Sequence, residues 1–522
     1  MRRFLHCFLF LISTHRLLAQ NQPVGEPPRV GYQIFVRSFA DSNGDGIGDI
    51  NGITAKLDYL QQIGADVLWL TPVSPSPSYH KYDVTDYRGI DPEFGTMADF
   101  KRLLTEAHRR KMKVLFDFVI NHSSSQHPWF KAAVADRQSP YRNWYVWMSQ
   151  RAIDSMGVAY RERTADSWEL RPWHTPRGES ASPDAEKYYG LFWGGMPDLN
   201  MDNQSLRREL YDIGRFWLTE VGVDGFRLDA AKHIYPQWDV AKNHQFWQEF
   251  RQALQTVKPD VLLLGEVWDT ADKVAPYFKG LPANFHFDAC FALQNMAKTG
   301  RDSSLVSKLL ADYAAYGKEN PAFVSATMVN NHDQNRIGSI VGGDPNRMRV
   351  AASLLLTLPG QPWIYYGEEL GMLGTKPDEL IREPFLWTTR ATDTARTRWQ
   401  TPRFSTDSTV APLSQQQTDP KSLYNHYRKL IALRRQTPAL AQVLNPNLQP
   451  SSIRQDGVLA FVRPHASGDV LVVHNLGNVP STVTLPTAER RFRNMLFTSE
   501  ATATLQKDQL TLPPYSVVVL RK

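Results

Sequence analysis

A recurring alternation of short apolar runs with helical segments is the feature that most constrains this chain. Residues 32–37, 66–70 and 113–120 read as strands, with helices at 53–62 and 96–111 between them. The alternation lapses between about residues 123 and 196, then resumes with a helix at 206–220, a strand at 223–228 and a helix at 246–256. Residues 261–265, 285–289, 323–329 and 363–366 supply four more strands, which makes eight. Eight strands with intervening helices predict an α/β chain of the (β/α)8 TIM-barrel type; counting alone leaves an open sheet as the alternative.

The lapse is rich in Ser, Pro, Trp, Tyr and charge, and a connection of that length needs structure of its own. It reads as a small domain inserted after strand 3, over the rim. After about residue 400 the pattern changes again. Residues 458–463, 470–475, 481–485 and 515–520 alternate or run β-branched between turns, which predicts a C-terminal antiparallel β-sandwich domain. The expected division is a signal peptide at 1–20, barrel at 21–122 and 197–400, inserted domain at 123–196 and β-domain at 401–522.

The signal-peptide reading rests on Arg2 and Arg3, an apolar stretch at 4–12 and the following Leu17-Leu18-Ala19. It implies a secreted or periplasmic protein; His6, His15 and Arg16 interrupt the pattern, and a ragged extension is the alternative. No later stretch reaches 18 uninterrupted apolar residues, so no membrane span is expected. Cys7 falls in the leader and Cys290 then stands alone, which predicts no intrachain disulfide and a buried thiol between Ala289 and Phe291. The formal charge is +6, and losing Arg2, Arg3 and Arg16 leaves +3, too little to argue for nucleic acid. A monomer is expected.

Three acids carry the chemistry. Asp229 ends Gly225-Phe226-Arg227-Leu228-Asp229, Glu266 ends Val261-Leu262-Leu263-Leu264-Gly265-Glu266, and Asp333 follows Met328-Val329-Asn330-Asn331-His332. One acid after a strand is usually a cap or a surface charge. Three at one barrel rim are the equipment for glycoside chemistry, in which one carboxylate attacks and a second carboxyl acts as acid, then base. Asp229 is the nucleophile candidate. Arg227, two residues earlier, faces the same side and favours its ionised form, although a purely structural salt bridge is the alternative. Glu266, after an aliphatic run and before Trp268, is placed for a raised pKa and is the acid/base candidate. Asp333 is placed to bridge sugar hydroxyls, with His122 and His332 as donors to the same ring.

Five segments in order strengthen this reading: Asp117-Phe118-Val119-Ile120-Asn121-His122, Met196-Pro197-Asp198-Leu199-Asn200, Gly225 through His233, Gly265-Glu266-Val267-Trp268, and Val329-Asn330-Asn331-His332-Asp333. They resemble the motifs of the α-amylase family of retaining glycoside hydrolases, glycoside hydrolase family 13. The resemblance covers roughly residues 30–520. It implies Asp229 as nucleophile, Glu266 as acid/base and Asp333 as transition-state stabiliser. Arg227, His122 and His332 would hold the sugar under attack, Asp117 would support the rim, and Tyr82, preceded by His80, would be the aromatic platform. Lys232 and His233 resemble the pair that α-amylases place beyond the cleaved bond, and Ala230 fits α-1,4 enzymes. The implied substrate is an α-glucan or maltooligosaccharide, cleaved at internal α-1,4 bonds. The stretch Gln126-His127-Pro128-Trp129-Phe130 resembles oligo-1,6-glucosidases and trehalose synthases, so an α-glucosidase or a transglycosylase is the alternative.

The loop Asp41-Ser42-Asn43-Gly44-Asp45-Gly46-Ile47-Gly48-Asp49 puts oxygen side chains at alternate positions, a pattern suited to Ca2+. An EF-hand is excluded, because the twelfth position is Gly52 and not Glu. The resemblance implies a structural Ca2+ held by Asp41, Asn43, Asp45, the Ile47 carbonyl and Asp49; an Asx-rich turn without metal is the alternative. A zinc site is disfavoured, since His122, His233 and His332 lack His-x-x-x-His spacing.

Overall fold

The computed structural model describes residues 30–157, 161, 169–178, 182, 184–236, 238–444 and 446–522. The expected signal peptide, residues 1–20, lies outside the described residues. Eight parallel strands close into a barrel: β1 (Gly31–Ile34), β2 (Val67–Leu70), β3 (Lys113–Phe118), β4 (Gly225–Leu228), β5 (Leu262–Gly265), β6 (Ala283–Phe285), β7 (Val324–Thr327) and β8 (Gln361–Tyr365). Closure comes at β1, whose Gly31 is opposite both Val67 of β2 and Trp363 of β8. Strands covered on both faces must be apolar throughout, which is why they read as unbroken runs rather than alternating ones. Trp69, Leu115, Leu264, Phe285, Ala326 and Trp363 cluster as one buried core among the strands. Gly31 makes room for this filling: a Cβ there would lie 2.3 Å from the Trp363 ring.

The expected strand at 285–289 ends at Phe285, and helix Phe287–Thr299 begins two residues later. Phe287, Cys290, Leu293 and Ala297 recur at three- and four-residue spacing and are buried on one face of that helix. A short apolar run cannot by itself tell a buried strand from a buried helix. Likewise β1 stops at Ile34, and Val36–Phe39 forms one helical turn.

The inserted segment carries helix Pro128–Ala135 and a small antiparallel sheet of Trp147–Ser149, Glu186–Tyr189 and Trp173–His174. A single bridge between His122 and Asp198 ties together the two ends of the segment, and another joins Tyr145 within it to Leu199 just beyond it. At the C-terminal end, a five-stranded sheet (Gln449–Pro450, Val458–Arg463, Val470–Asn475, Val517–Arg521, Asn494–Thr498) packs on a three-stranded one (Ser481–Thr484, Gln509–Leu512, Thr504–Gln506). Leu471, Val473, Val518 and Leu520 meet Val483, Leu510 and Leu512 between the two. The stretch before Gln449 is helical: Leu423–Gln436 lies against Pro345–Thr357 of the barrel. Its Tyr427 donates a hydrogen bond of 2.8 Å to Glu368, just after β8.

Cys290 is buried and free, and burial pushes its thiol up, as an inert core cysteine requires. Among the described residues no helix is long and apolar enough to cross a membrane.

Candidate active site at the barrel rim

Parallel strands deliver the residues that follow them to one end of the barrel. Asp117 comes from β3, Arg227 and the adjoining Asp229 from β4, and Glu266 from the residue after β5. His332 and Asp333 follow β7, and Tyr82 lies in the loop after β2. They converge on Arg227, whose side chain is fully buried. Its Nη1 donates to Asp117 Oδ1 at 2.8 Å and to Asp229 Oδ1 at 2.7 Å. Its Nη2 lies 2.6 Å from Glu266 Oε2, an ion-pair contact without the alignment of a hydrogen bond. Beyond Asp229 the backbone of Ala230 turns into the left-handed region, φ 46°, and its N–H donates to Glu266 Oε2 at 3.2 Å. A non-glycine residue held there is strained, and the acids on both sides fix it in place.

Below the acids runs a polar relay. Gln33 Nε2 faces His332 Nδ1 at 2.8 Å, which leaves the ring proton on Nε2. His332 Nε2 is 2.6 Å from Tyr82 Oη, and Tyr82 Oη donates to Asp117 Oδ2 at 3.0 Å. Trp69 Nε1 donates to the same oxygen at 2.9 Å. The Tyr82 and His332 rings stack with centroids 5.4 Å apart. Burial drives His332 well below the ordinary histidine range, so the ring is neutral and its donor points at the tyrosine.

Three carboxyls around one guanidinium are over-charged, and their protonation separates accordingly. Burial, opposed by Arg227 and helped by Asp229 and Asp333, pushes Glu266 up to about 7. Burial pushes Asp117 to about 7 as well. Its oxygens face only donors, from Trp69, Tyr82 and Arg227, so the proton of the cluster belongs on Glu266. Burial also raises Asp229, against the pull of Arg227. Asp333 goes the other way: burial would raise it, but His332 and the Arg382 guanidinium override that and hold it at about 2. Arg382 brings its charge within 2.8 Å of Asp333 Oδ1, and the His332 Nε2 group lies 3.2 Å from Oδ2.

A cavity of about 550 Å³ opens above this cluster. Asp229, Glu266 and Asp333 line it together with His80, Tyr82, His122, Lys232 and His233, while Asp117, Arg227 and His332 are buried beneath. His122 is less available than expected: Nδ1 faces Asn121 Oδ1 at 3.0 Å and Nε2 faces the Tyr82 carbonyl at 3.2 Å. Lys232 donates to the Trp268 carbonyl at 2.8 Å at the outer edge. Arg382, Asp378 and Phe192 also line the cavity and were not anticipated. Arg382 and Asp378 lie four residues apart in a segment after β8 whose sequence has no apolar run to mark it as rim; only that i, i+4 spacing of opposite charges hinted at a pair. Trp129 stacks on Tyr87 and meets Trp144, and it is not in the cavity wall.

The calcium expectation is corrected. Among the described residues no group of three or more His, Cys, Asp or Glu side chains is arranged to hold a metal ion. The loop turns its oxygens on its own backbone. Asp41 accepts from the amides of Asn43, Gly44 and Gly46, the last at 2.8 Å, and Asn43 accepts from Asp45 N. Asp45 accepts from Ile47 N at 2.7 Å, and Asp49 accepts from Ser42 N and caps helix Ile50–Ala55 through Gly52 N. Asp41, Asn43, Asp45, Ile47 and Asp49 therefore form nested Asx turns, each polar side chain serving as a local acceptor.

A closed parallel barrel with carboxyls gathered round a buried guanidinium at the C-terminal ends of its strands defines an enzyme built for glycosidic bonds. Residues 33–443 match the family described as "Alpha amylase, catalytic domain", and residues 458–519 match "Alpha-amylase SusG C-terminal domain". The chain is 41% identical over 517 residues to α-amylase 3 of Dictyoglomus thermophilum, covering 98% of this chain and 97% of that one. It is 33% identical to the oligo-1,6-glucosidase of Parageobacillus thermoglucosidasius, over 78% of this chain and 83% of the other. The crystal structure of the α-amylase from H. orenii superposes with a TM-score of 0.84 at 41% identity, covering 95% and 100% of the two chains. The chain belongs to the α-amylase family, glycoside hydrolase family 13, and is a glycosidase or transglycosylase of that family acting on α-glucans.

Proposed function

We propose that the enzyme is a retaining, endo-acting hydrolase of α-1,4-glucosidic bonds in starch-like polysaccharides and maltooligosaccharides. The observation that carries this reading is the sharing of Arg227 between Asp229 and Glu266, with the proton on Glu266. Two carboxyls on the two ends of one guanidinium favour the shorter separation of retaining enzymes, about 5–5.5 Å, over the roughly 6.5–9.5 Å that leaves room for a water. Asp229 then attacks the anomeric carbon while Glu266 gives its proton to the departing glycosidic oxygen. A covalent glycosyl-enzyme forms, Glu266 takes a proton from water, and the hydroxide replaces Asp229 at the same carbon. Asp333, held ionised, accepts hydrogen bonds from hydroxyls of the ring as positive charge develops on it. Asp117 supports the Arg227 side from below.

The endo assignment draws on the cavity edge. Lys232, His233 and Trp268 flank the acids on the side reached just after the nucleophile strand, and Trp268 remains 37% exposed with its ring parallel to Phe287 at 4.4 Å. An exposed flat ring there suits a glucan that continues past the cleaved bond. Trp129, in the stretch that resembles glucosidases, is absent from the cavity wall, so it does not block the cleft. The likeness to α-amylase 3 supports the same choice. End-blocked maltoheptaose tests it: cleavage is expected, with the α-anomer seen first by NMR. A blocked substrate left intact, alongside hydrolysis of isomaltose or conversion of maltose to trehalose, would establish the exo or transferring alternative.

A further inference from the structure

A second cavity, of about 1230 Å³, exceeds the rim cavity in volume and lies elsewhere. It sits where barrel residues 299–307 meet the C-terminal β-domain. Arg301, Asp302 and Ser304 form one wall, and Gln455, Asp456 and Tyr515 form the other. The two sides approach closely at Gly300, which is in the left-handed region and whose Cβ position lies 3.1 Å from the Leu476 carbonyl.

Two features mark this cleft as more than a gap between domains. Ser304, φ 61°, and Tyr515, φ 53°, are two of only six non-glycine residues among the described ones with left-handed backbone. Another of the six, Ala230, lines the rim cavity. A left-handed tyrosine is uncommon, and such strain persists where neighbours over-determine it, often beside a ligand. The Tyr515 backbone is fixed by its N–H donating to the Gly477 carbonyl at 3.0 Å. The second feature is the lining chemistry. Three arginines, Arg301, Arg347 and Arg454, against two aspartates leave a net charge of only +1, with signs interleaved rather than gathered. A phosphate or nucleic acid needs one sign concentrated. A neutral polyol, each of whose hydroxyls both donates and accepts, suits mixed Arg, Asp, Ser and Gln walls with an aromatic surface at the edge.

We propose that this interdomain cleft is a second carbohydrate site, which holds a stretch of α-glucan away from the barrel rim. Tyr515 lies under one sugar face, and Arg301 and Asp456 take hydroxyls from opposite walls. The inference rests on the family's α-glucan chemistry and not on the cleavage mode proposed above. Binding there keeps a polymer attached while its other segments enter the rim cavity.

The test uses the full chain carrying Glu266→Gln, so that polysaccharide survives the measurement. Its retardation in native gels containing soluble starch is compared with that of two further variants, Arg301→Ala/Asp456→Ala and Tyr515→Asn, the latter because asparagine tolerates left-handed backbone. The apparent dissociation constant for starch is expected to rise at least about fivefold in each. In the active background, the same changes should leave kcat/KM on maltotetraose within about twofold while lowering it on soluble starch. Unchanged retardation in the Arg301→Ala/Asp456→Ala variant, whose side chains are exposed and whose fold is checked by its melting temperature, overturns the proposal. So does an equal loss of kcat/KM on maltotetraose and starch. Cleavage of end-blocked maltoheptaose is scored separately, so failure of the endo reading leaves this result legible.

Discussion

Arg382 Nη2 lies 2.8 Å from Asp333 Oδ1, tying a residue that follows β8 to the carboxylate that follows β7. The same guanidinium donates to the His332 carbonyl at 2.9 Å and to Tyr79 Oη at 2.9 Å, so it fixes the position of Asp333 as well as its charge. Asp333 is held at about 2, and a depressed carboxyl stays ionised until pH falls through that value. Arg382→Ala is expected to raise the Asp333 pKa, because burial is then opposed only by His332 and the more distant Lys376 and Arg227, and to move the acid limb of kcat/KM to higher pH. The loss at neutral pH should be about 10- to 100-fold. An unmoved acid limb would separate Arg382 from the chemistry.

Asp229→Ala and Glu266→Gln are each expected to lower kcat by about 10²- to 10⁴-fold or more with the fold retained. A variant of either that keeps a tenth of parental turnover would remove it from the proposed roles.

Glu266 sets the alkaline limb. Its carboxyl is raised to about 7, so the acid form needed for leaving-group protonation is lost as pH rises through that value. The profile of kcat/KM should fall on the alkaline side of about pH 7. A profile flat from pH 6 to 8.5 would contradict the assignment of the shared proton.

Glu368 predicts a stability effect apart from catalysis. It is buried, accepts from Tyr427 Oη at 2.8 Å and from Asn330 Nδ2 at 2.7 Å, and burial pushes it up to about 8. A carboxyl raised in the folded state stabilises most below its ordinary pKa, and that stability is lost as pH rises through the folded value. Glu368→Gln should therefore be within about 1 kcal/mol of the parent at pH 5 and about 1–3 kcal/mol more stable at pH 9. Parallel melting curves across that range would refute it.

The loop at 41–49 should behave as a network of turns. Asp41 accepts three backbone amides, so Asp41→Ala is expected to cost about 1–2 kcal/mol. The cost should be the same with added Ca2+ and with chelator, read as melting temperature.

The barrel was legible because its strands are buried on both faces and announce themselves as apolar runs. The strand at 285–289 failed for the same reason: Phe287 and Cys290 are as apolar as a strand core but belong to a helix face. Strands Asn494–Thr498, at the edge of its sheet, and Gln509–Leu512, at the centre of a small one, escaped notice because short, half-exposed segments carry little periodic signal. The acids were legible because Asp229 and Glu266 directly follow strands and Asp333 closes a motif six residues beyond β7. Arg382 was not, since its role depends on where the long connection after β8 returns to the rim. The calcium reading failed because alternating oxygens on a glycine-rich loop serve a metal and nested Asx turns equally well, and only the direction of each amide separates the two.

The closing of the barrel at Gly31 and Trp363 also orders events during synthesis. Gln33 and His332 meet across 299 residues of chain, and Tyr82 and His332 across 250. Until β8 has left the ribosome, β1 has one neighbour, and its other edge presents unpaired amides and carbonyls. Every rim acid is already translated by then, but the His332 proton has no fixed direction until Gln33 is brought beside it. The nascent chain thus carries its whole set of reactive groups for an interval in which it cannot align them, and that interval is also when its open strand edges are most exposed to other chains.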